Sequence, residues 1–172
     1  RDALGLNPLS LPAAAEALAR TRESGLPYAP AGLRLVQESG SQQGVMIYRA
    51  VRDPATGATL GVISAALRMD DVLAAAVGNA VNAGIELCLV DLDADGESAR
   101  LSGAAGCQAP AWMDAQVTRR TAIGFAGRAW ELRSRATPAY LDTLRSWAAW
   151  ATIAAGLLAT GMLGALLLIT TG

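Results

Sequence analysis

Residues Val45–Leu67 read VMIYRAVRDPATGATLGVISAAL, and this stretch decides the fold. Two runs rich in strand-forming residues, Val45–Val51 and Leu60–Leu67, flank the cluster Asp53-Pro54-Ala55-Thr56-Gly57. Proline pre-sets φ and glycine can take φ > 0, so the cluster is turn chemistry. Two such runs joined by such a turn form an antiparallel hairpin.

Outward from the hairpin, the pattern alternates. On its N-terminal side, Leu11–Arg22 is rich in Ala, Leu and Glu, with Ser10 as candidate N-cap, Pro12 near the first turn and Gly25 past the end, which predicts a helix. Leu33–Gln37 then reads as a short strand. On its C-terminal side, Asp70 and Asp71 place negative charge at the start of a helix that runs through Val72, Leu73, Val77 and Val81 to Gly84. Ile85–Asp91 follows as a strand, with Ile85, Leu87, Leu89 and Asp91 on one face and Glu86, Cys88 and Val90 on the other. Ala115–Ile123 and Arg128–Ala136 read as an antiparallel pair joined at Gly124-Phe125-Ala126-Gly127. This order suits an antiparallel sheet with packed helices, an α+β arrangement.

The remaining sequence is of another kind. From Ser146 to Gly172, SWAAWATIAAGLLATGMLGALLLITTG carries no charge. As a helix it would be about 40 Å long, enough to cross a hydrocarbon core of about 30 Å. Trp147 and Trp150 sit where aromatic residues anchor a span, and Arg145 bounds it on the same side. Thr137-Pro138 supplies an N-cap and a Pro at N1 for a helix that could run straight on into this segment. The expected division is therefore residues 1–137 as a folded domain and 138–172 as a juxtamembrane and transmembrane helix. Arg1 and Gly172 as the outermost residues suggest a piece of a longer chain.

Composition narrows the chemistry. The formal net charge is −1 from 14 basic and 15 acidic residues, which leaves no electrostatic footprint for nucleic acid. All the basic residues are Arg, as a genomic base bias would produce. Histidine is absent, which removes Ser-His-Asp and Cys-His triads, an imidazole proton shuttle and the usual zinc sites. No cofactor motif is present, and these residues are expected to have no enzymatic activity. Hydrophobic residues make up 52% and the mean hydropathy is +0.31, much of the excess lying in the uncharged tail.

Several local phrases, in order, resemble the CHASE family of extracytoplasmic sensor modules. They are Ala17 to Gly25, Leu33-Arg34-Leu35-Val36-Gln37-Glu38, Gly44–Val51, Leu60-Gly61-Val62-Ile63 leading into Met69-Asp70-Asp71-Val72-Leu73, Ile85–Asp91 and Gly127-Arg128-Ala129-Trp130-Glu131-Leu132. The resemblance implies a PAS-like domain that binds a small ligand outside the membrane. It also implies that the signal passes through the span to a cytoplasmic output such as a histidine kinase of a two-component system or a diguanylate cyclase. The first part of the family's pattern, with its N-terminal membrane helix, is missing. Where relatives often carry Ser or Thr before the first strand, this chain has Pro30, which argues against a hormone-like ligand. The alternatives from other classes are a membrane-anchored extracytoplasmic enzyme and a structural anchor.

For the ligand site, the expected residues are Leu33, Met46, Tyr48, Gly61, Ile63 and Ala65, which share parity within each clear strand; they could equally be ordinary sheet core. Asp91-Leu92-Asp93-Ala94-Asp95-Gly96 matches the opening of a calcium loop, but its twelfth position is Ser102 and its flanks read as strands. A solvated turn with side-chain-to-backbone bonds is the better reading, and a catalytic pair among these carboxylates lacks a nucleophile nearby; no metal is expected. Cys88 and Cys107 are free to pair outside the membrane or to act as small hydrophobes. Phe125 and Trp130 read as core rather than as a binding platform. In the span, Gly156, Thr160 and Gly164 recur every four residues, a small-residue seam that would let two copies approach as a homodimer in the bilayer.

Overall fold

The computed structural model describes residues 7–33, 42–78, 84–115, 117–144 and 147–171. It divides into two units, Arg1–Ala136 and Thr137–Gly172. The first unit is α+β, with antiparallel strands and packed helices.

Helix α1 spans Pro12–Ser24 and closes at Gly25, whose N–H bonds the Thr21 carbonyl. Its N-cap is Leu11 rather than Ser10, because Pro8–Ser10 forms a 3-10 turn in which the Ser10 hydroxyl donates to the Asn7 carbonyl. The expected hairpin is strands β1, Gly44–Arg52, and β2, Thr59–Arg68. Asp53 closes its turn by accepting the Ala55 and Thr56 N–H groups, and these bonds hold its carboxyl below the ordinary carboxylate value. Helix α2, Met69–Val77, begins directly after β2 with Asp70 and Asp71 in its first turn. It stops at Gly78, so the expected run to Gly84 is shorter in the structure, and Val81 lies outside the described residues.

Strand β3, Ile85–Asp91, appears where expected. Strand β4, Arg100–Gly103, does not, because four residues are too short to show an alternating pattern. Strands β5, Thr118–Phe125, and β6, Arg128–Ala136, complete the unit. The antiparallel sheet expected from the sequence is divided in two: β1-β2, and a four-stranded sheet in the order β4-β3-β6-β5. The division has a local cause. The segment Tyr28–Leu33 occupies the second edge of β1 through reciprocal backbone bonds between Tyr28 and Tyr48 and between Leu33 and Gly44. On its other side Ala29 N–H bonds the Ala126 carbonyl in the β5–β6 turn. This connector therefore joins the two sheets in place of direct strand pairing. The rest of the expected strand, residues 34–37, lies outside the described residues.

Three apolar clusters follow. Ala14, Ala17 and Leu18 of α1 pack on Tyr48, with Met46, Tyr28 and Val62 at the margin. Thr21, fully buried, ties the same helix to β1: its hydroxyl accepts the Ala50 N–H and donates to the Leu26 carbonyl. Val45, Met69, Leu89, Leu101 and Trp130 form the central core, with Phe125 stacked on Trp130 at 4.3 Å, so this pair packs as core. Cys88, Val90, Cys107, Trp112 and Met113 form the third cluster, on the opposite face of β3 from Leu89.

Cys88 and Cys107 are disulfide-bonded, 5.9 Å between Cα atoms. Gly103 makes that approach possible, since it adopts φ +112° and a Cβ there would stand 2.6 Å from the Leu87 carbonyl oxygen and 3.1 Å from Cys107 Sγ. Arg133 of β6 fastens the same loop by donating to the Gln108 carbonyl at 2.6 Å.

In the second unit, helix α3 spans Pro138–Leu144 and is capped by Thr137, whose hydroxyl accepts the Tyr140 N–H. Helix α4 spans Trp147–Thr171. The junction that the sequence reads as continuous falls on residues 145–146, Arg145 among them, which lie outside the described residues. Within α4, Ala149–Thr171 is long and apolar enough to cross a membrane, with mean hydropathy 2.1 and no part of it buried.

Candidate functional site

A cleft of about 450 Å³ opens in the first unit between α1, the connector, the turn after β3 and the β5–β6 turn. A volume of this size falls within the roughly 300–1,000 Å³ of small-molecule sites. The helix contributes Ala13, Glu16, Ala17 and Arg20. These positions share one face because residues three and four apart are neighbours on a helix. Ala17 also belongs to the buried seam under α1, so the packing that fixes the helix aims Glu16 and Arg20 at the cleft.

Arg20 is held at both ends of its guanidinium. Nη1 donates to the Tyr28 hydroxyl and Nη2 to Glu16 Oε1, each at 2.7 Å, with the guanidinium carbon 5.2 Å from the Tyr28 ring centre. The Tyr28 bond first, and Glu16 second, hold Arg20 above its ordinary pKa. Tyr28 is itself positioned by the connector's pairing with β1.

The opposite wall is built on Asp91, Asp93 and Arg128. Asp91 ends β3 and is 1% exposed; its Oδ2 accepts Arg128 Nε at 2.6 Å and its Oδ1 accepts the Asp93 N–H. Asp93 Oδ2 accepts the Ala129 N–H at 2.7 Å, which clamps the turn after β3 onto the start of β6. The side-chain-to-backbone bonding expected for this Asp-rich turn is present, but Asp91 is buried and ion-paired rather than solvated. Ser102, the position that fails the calcium pattern, donates instead to Asp70 Oδ1. Arg128 is only 14% exposed at its side chain, and its Nη2 is buried without a hydrogen-bond partner among the described residues.

The six residues expected to bind ligand are not brought together. Cross-strand partners are Met46 with Ala66, Tyr48 with Ser64, Ala50 with Val62, Ile47 with Ala65, Arg49 with Ile63 and Val51 with Gly61. Directly opposed residues share a face, so even positions of β1 go with even positions of β2. Met46 and Tyr48 lie under α1, and burial raises the Tyr48 phenol above its ordinary pKa. Gly61, Ile63 and Ala65 lie on the other face, where Ile63 is 60% exposed. Leu33, half-buried, sits in its bridge to Gly44. None of the six lines the cleft, whereas Pro30 does. The sequence signals for the lining of the cleft are the Glu16/Arg20 spacing around Ala17, the Asp91-x-Asp93 turn and the Gly127-Arg128 dipeptide.

The CHASE domain family matches residues 1–101. Those residues hold the family-like phrases up to Asp91, while Gly127–Leu132 lies beyond the match. Among solved structures, an extracellular ligand binding receptor from Desulfohalobium retbaense DSM5692 aligns with a TM-score of 0.42 and 18% identity. The alignment covers 69% of this chain and 24% of that one, so the chain spans about a quarter of that receptor's length. No curated protein matches the chain.

Proposed function

The chain belongs to the CHASE domain family, and from that premise we propose that it is the small-ligand-sensing and membrane-crossing part of a transmembrane receptor. The observation that carries this reading is the cleft between α1 and the β5–β6 turn, a concave site walled by secondary structure and set with oriented charges. The apolar helix Ala149–Thr171 supports a single-pass placement in a membrane. The Cys88–Cys107 disulfide supports an oxidising, extracytoplasmic location for the first unit.

In this reading the domain is a PAS-like periplasmic or extracellular sensor and residues 1–172 carry no catalysis. Ligand binding shifts the balance between two arrangements of α1 and the two sheets. Only a ligand with different affinity for the two can move it. The bias then passes through the membrane helix to a cytoplasmic output of the histidine kinase or diguanylate cyclase kind, in a homodimer joined along Gly156, Thr160 and Gly164. Thr160 donates its hydroxyl back to the Gly156 carbonyl, so it presents a compact, satisfied surface to such a seam.

The test is a calorimetric screen of the full chain in detergent micelles against a mixed small-molecule set: purines, indoles, monocarboxylates, amines, amino acids and polyols. At least one compound binds, and Ala13→Trp, which fills the cleft from an exposed helix position, abolishes that binding. Absence of any binding, or binding indifferent to Ala13→Trp, overturns the reading.

A further inference from the structure

The bonding of Arg128 is incomplete in a way that points to a ligand. A guanidinium carries five N–H donors in a planar fork. Asp91 takes Nε, fixing the plane of the fork, while Nη2 is buried and finds no acceptor among the described residues. Buried donors are normally satisfied, and leaving one unmade is unfavourable. Beside it, Asp93 uses Oδ2 to hold the Ala129 N–H and pairs with no cation among the described residues. The other charges of the region are already matched, Glu16 with Arg20 and Asp91 with Arg128. One wall of the cleft thus holds a guanidinium with one donor unmade and an exposed carboxylate with no cation among the described residues.

We propose that the cleft takes a ligand of the amino-acid class, its carboxylate on Arg128 and its ammonium on Asp93. The assignment rests on the cleft being the sensing site, as proposed above. A guanidinium suits a carboxylate because its N–H donors make short charge-assisted hydrogen bonds. A simple organic anion would gain Arg128 but meet Asp93, and a simple amine would gain Asp93 but meet Arg128. A zwitterion with the two groups on one carbon satisfies both, which makes the paired charges a selectivity device as well as a source of affinity. Ala13, Ala17 and Ala31 line the same space with methyl groups, leaving room for the ligand's side chain.

The experiment is isothermal titration of the full chain in detergent micelles with L-alanine, L-valine and L-leucine, then with isobutylamine and 2-hydroxyisovalerate, which lack one of valine's two charged groups. At least one amino acid binds. With valine as reference, each single-charge analogue binds at least tenfold more weakly. Asp93→Asn keeps an acceptor for the Ala129 N–H, and Arg128→Lys keeps a cation beside Asp91; each weakens amino-acid binding at least tenfold. Because the analogue comparison uses the unaltered chain, it decides the matter even if a variant folds poorly. Equal binding of either analogue overturns the proposal. If no amino acid binds while another compound does, and Ala13→Trp blocks it, the ligand class is wrong and the cleft stands as the site. If nothing binds, both readings fall.

Discussion

Gly127 lies against the ring of Tyr28: with φ +77°, a Cβ added to it would stand 2.7 Å from Tyr28 Cζ. Glycine at this position lets the β5–β6 turn close over the connector without displacing Tyr28, and the Ala29 N–H reaches the Ala126 carbonyl at 2.9 Å. Gly127→Ala should cost about 1–2 kcal/mol from the left-handed backbone alone. It should also push Tyr28 off Arg20. Urea denaturation measures the first effect, and loss of ligand heat in the calorimeter the second; an unchanged midpoint would refute the close approach.

Asp91 and Arg128 form a buried ion pair, and removing one partner of such a pair leaves a charge uncompensated. Asp91→Asn should destabilise the first unit by about 3 kcal/mol. The double variant Asp91→Asn/Arg128→Leu should cost less than the two single changes summed. A double-mutant cycle by chemical denaturation reads the coupling, and simple additivity would contradict the pairing.

The Cys88–Cys107 bond spans 19 residues of sequence. Cross-linking a loop of that length contributes about 3 kcal/mol by restricting the unfolded chain. Cys88→Ala/Cys107→Ala should therefore lower the thermal midpoint clearly, and dithiothreitol should lower it for the parent chain and leave the variant unmoved.

Tyr48 is 4% exposed, and burial raises its phenol above the ordinary value of 10.0. The sign follows from linkage. Below pH 10 the group is neutral in both folded and unfolded chains, so its full contribution is present. As pH rises past 10 the unfolded chain ionises first, and stability falls until the folded phenol also titrates. Difference absorbance near 295 nm between the parent and Tyr48→Phe chains should show a late tyrosine; a titration at 10 would contradict the burial.

If the membrane helix self-associates along Gly156, Thr160 and Gly164, Gly156→Leu with Gly164→Leu should weaken association of the span in a bilayer reporter assay. Around both glycines the structure leaves open space for such an approach. An undiminished signal would remove the seam from the mechanism.

Much of the secondary structure was legible because its signals are local. The turn cluster at Asp53–Gly57, the strand-forming runs beside it and the uncharged run after Ser146 each announce one element without reference to the rest. The site was less legible. Parity groups Met46 with Tyr48, and Gly61 with Ile63 and Ala65, yet whether the two sets share a face depends on the hairpin register, which puts them on opposite faces. A shift of one residue reverses every assignment. The sequence makes Asp91 a solvated turn residue because the buried partner that changes its character, Arg128, lies 37 positions away.

From residue chemistry and short-range periodicity alone came the α+β class, the hairpin, the membrane-length helix and the missing histidine chemistry, since each depends on neighbours within a few turns of chain. Tertiary structure alone decided the rest. It divided the sheet in two by laying Tyr28–Leu33 along the edge of β1, chose the disulfide over two free thiols, and gathered α1, the Asp-rich turn and Gly127-Arg128 around one cleft. These outcomes rest on pairings between distant segments, where burial and hydrogen-bond satisfaction, rather than local preference, select the partner.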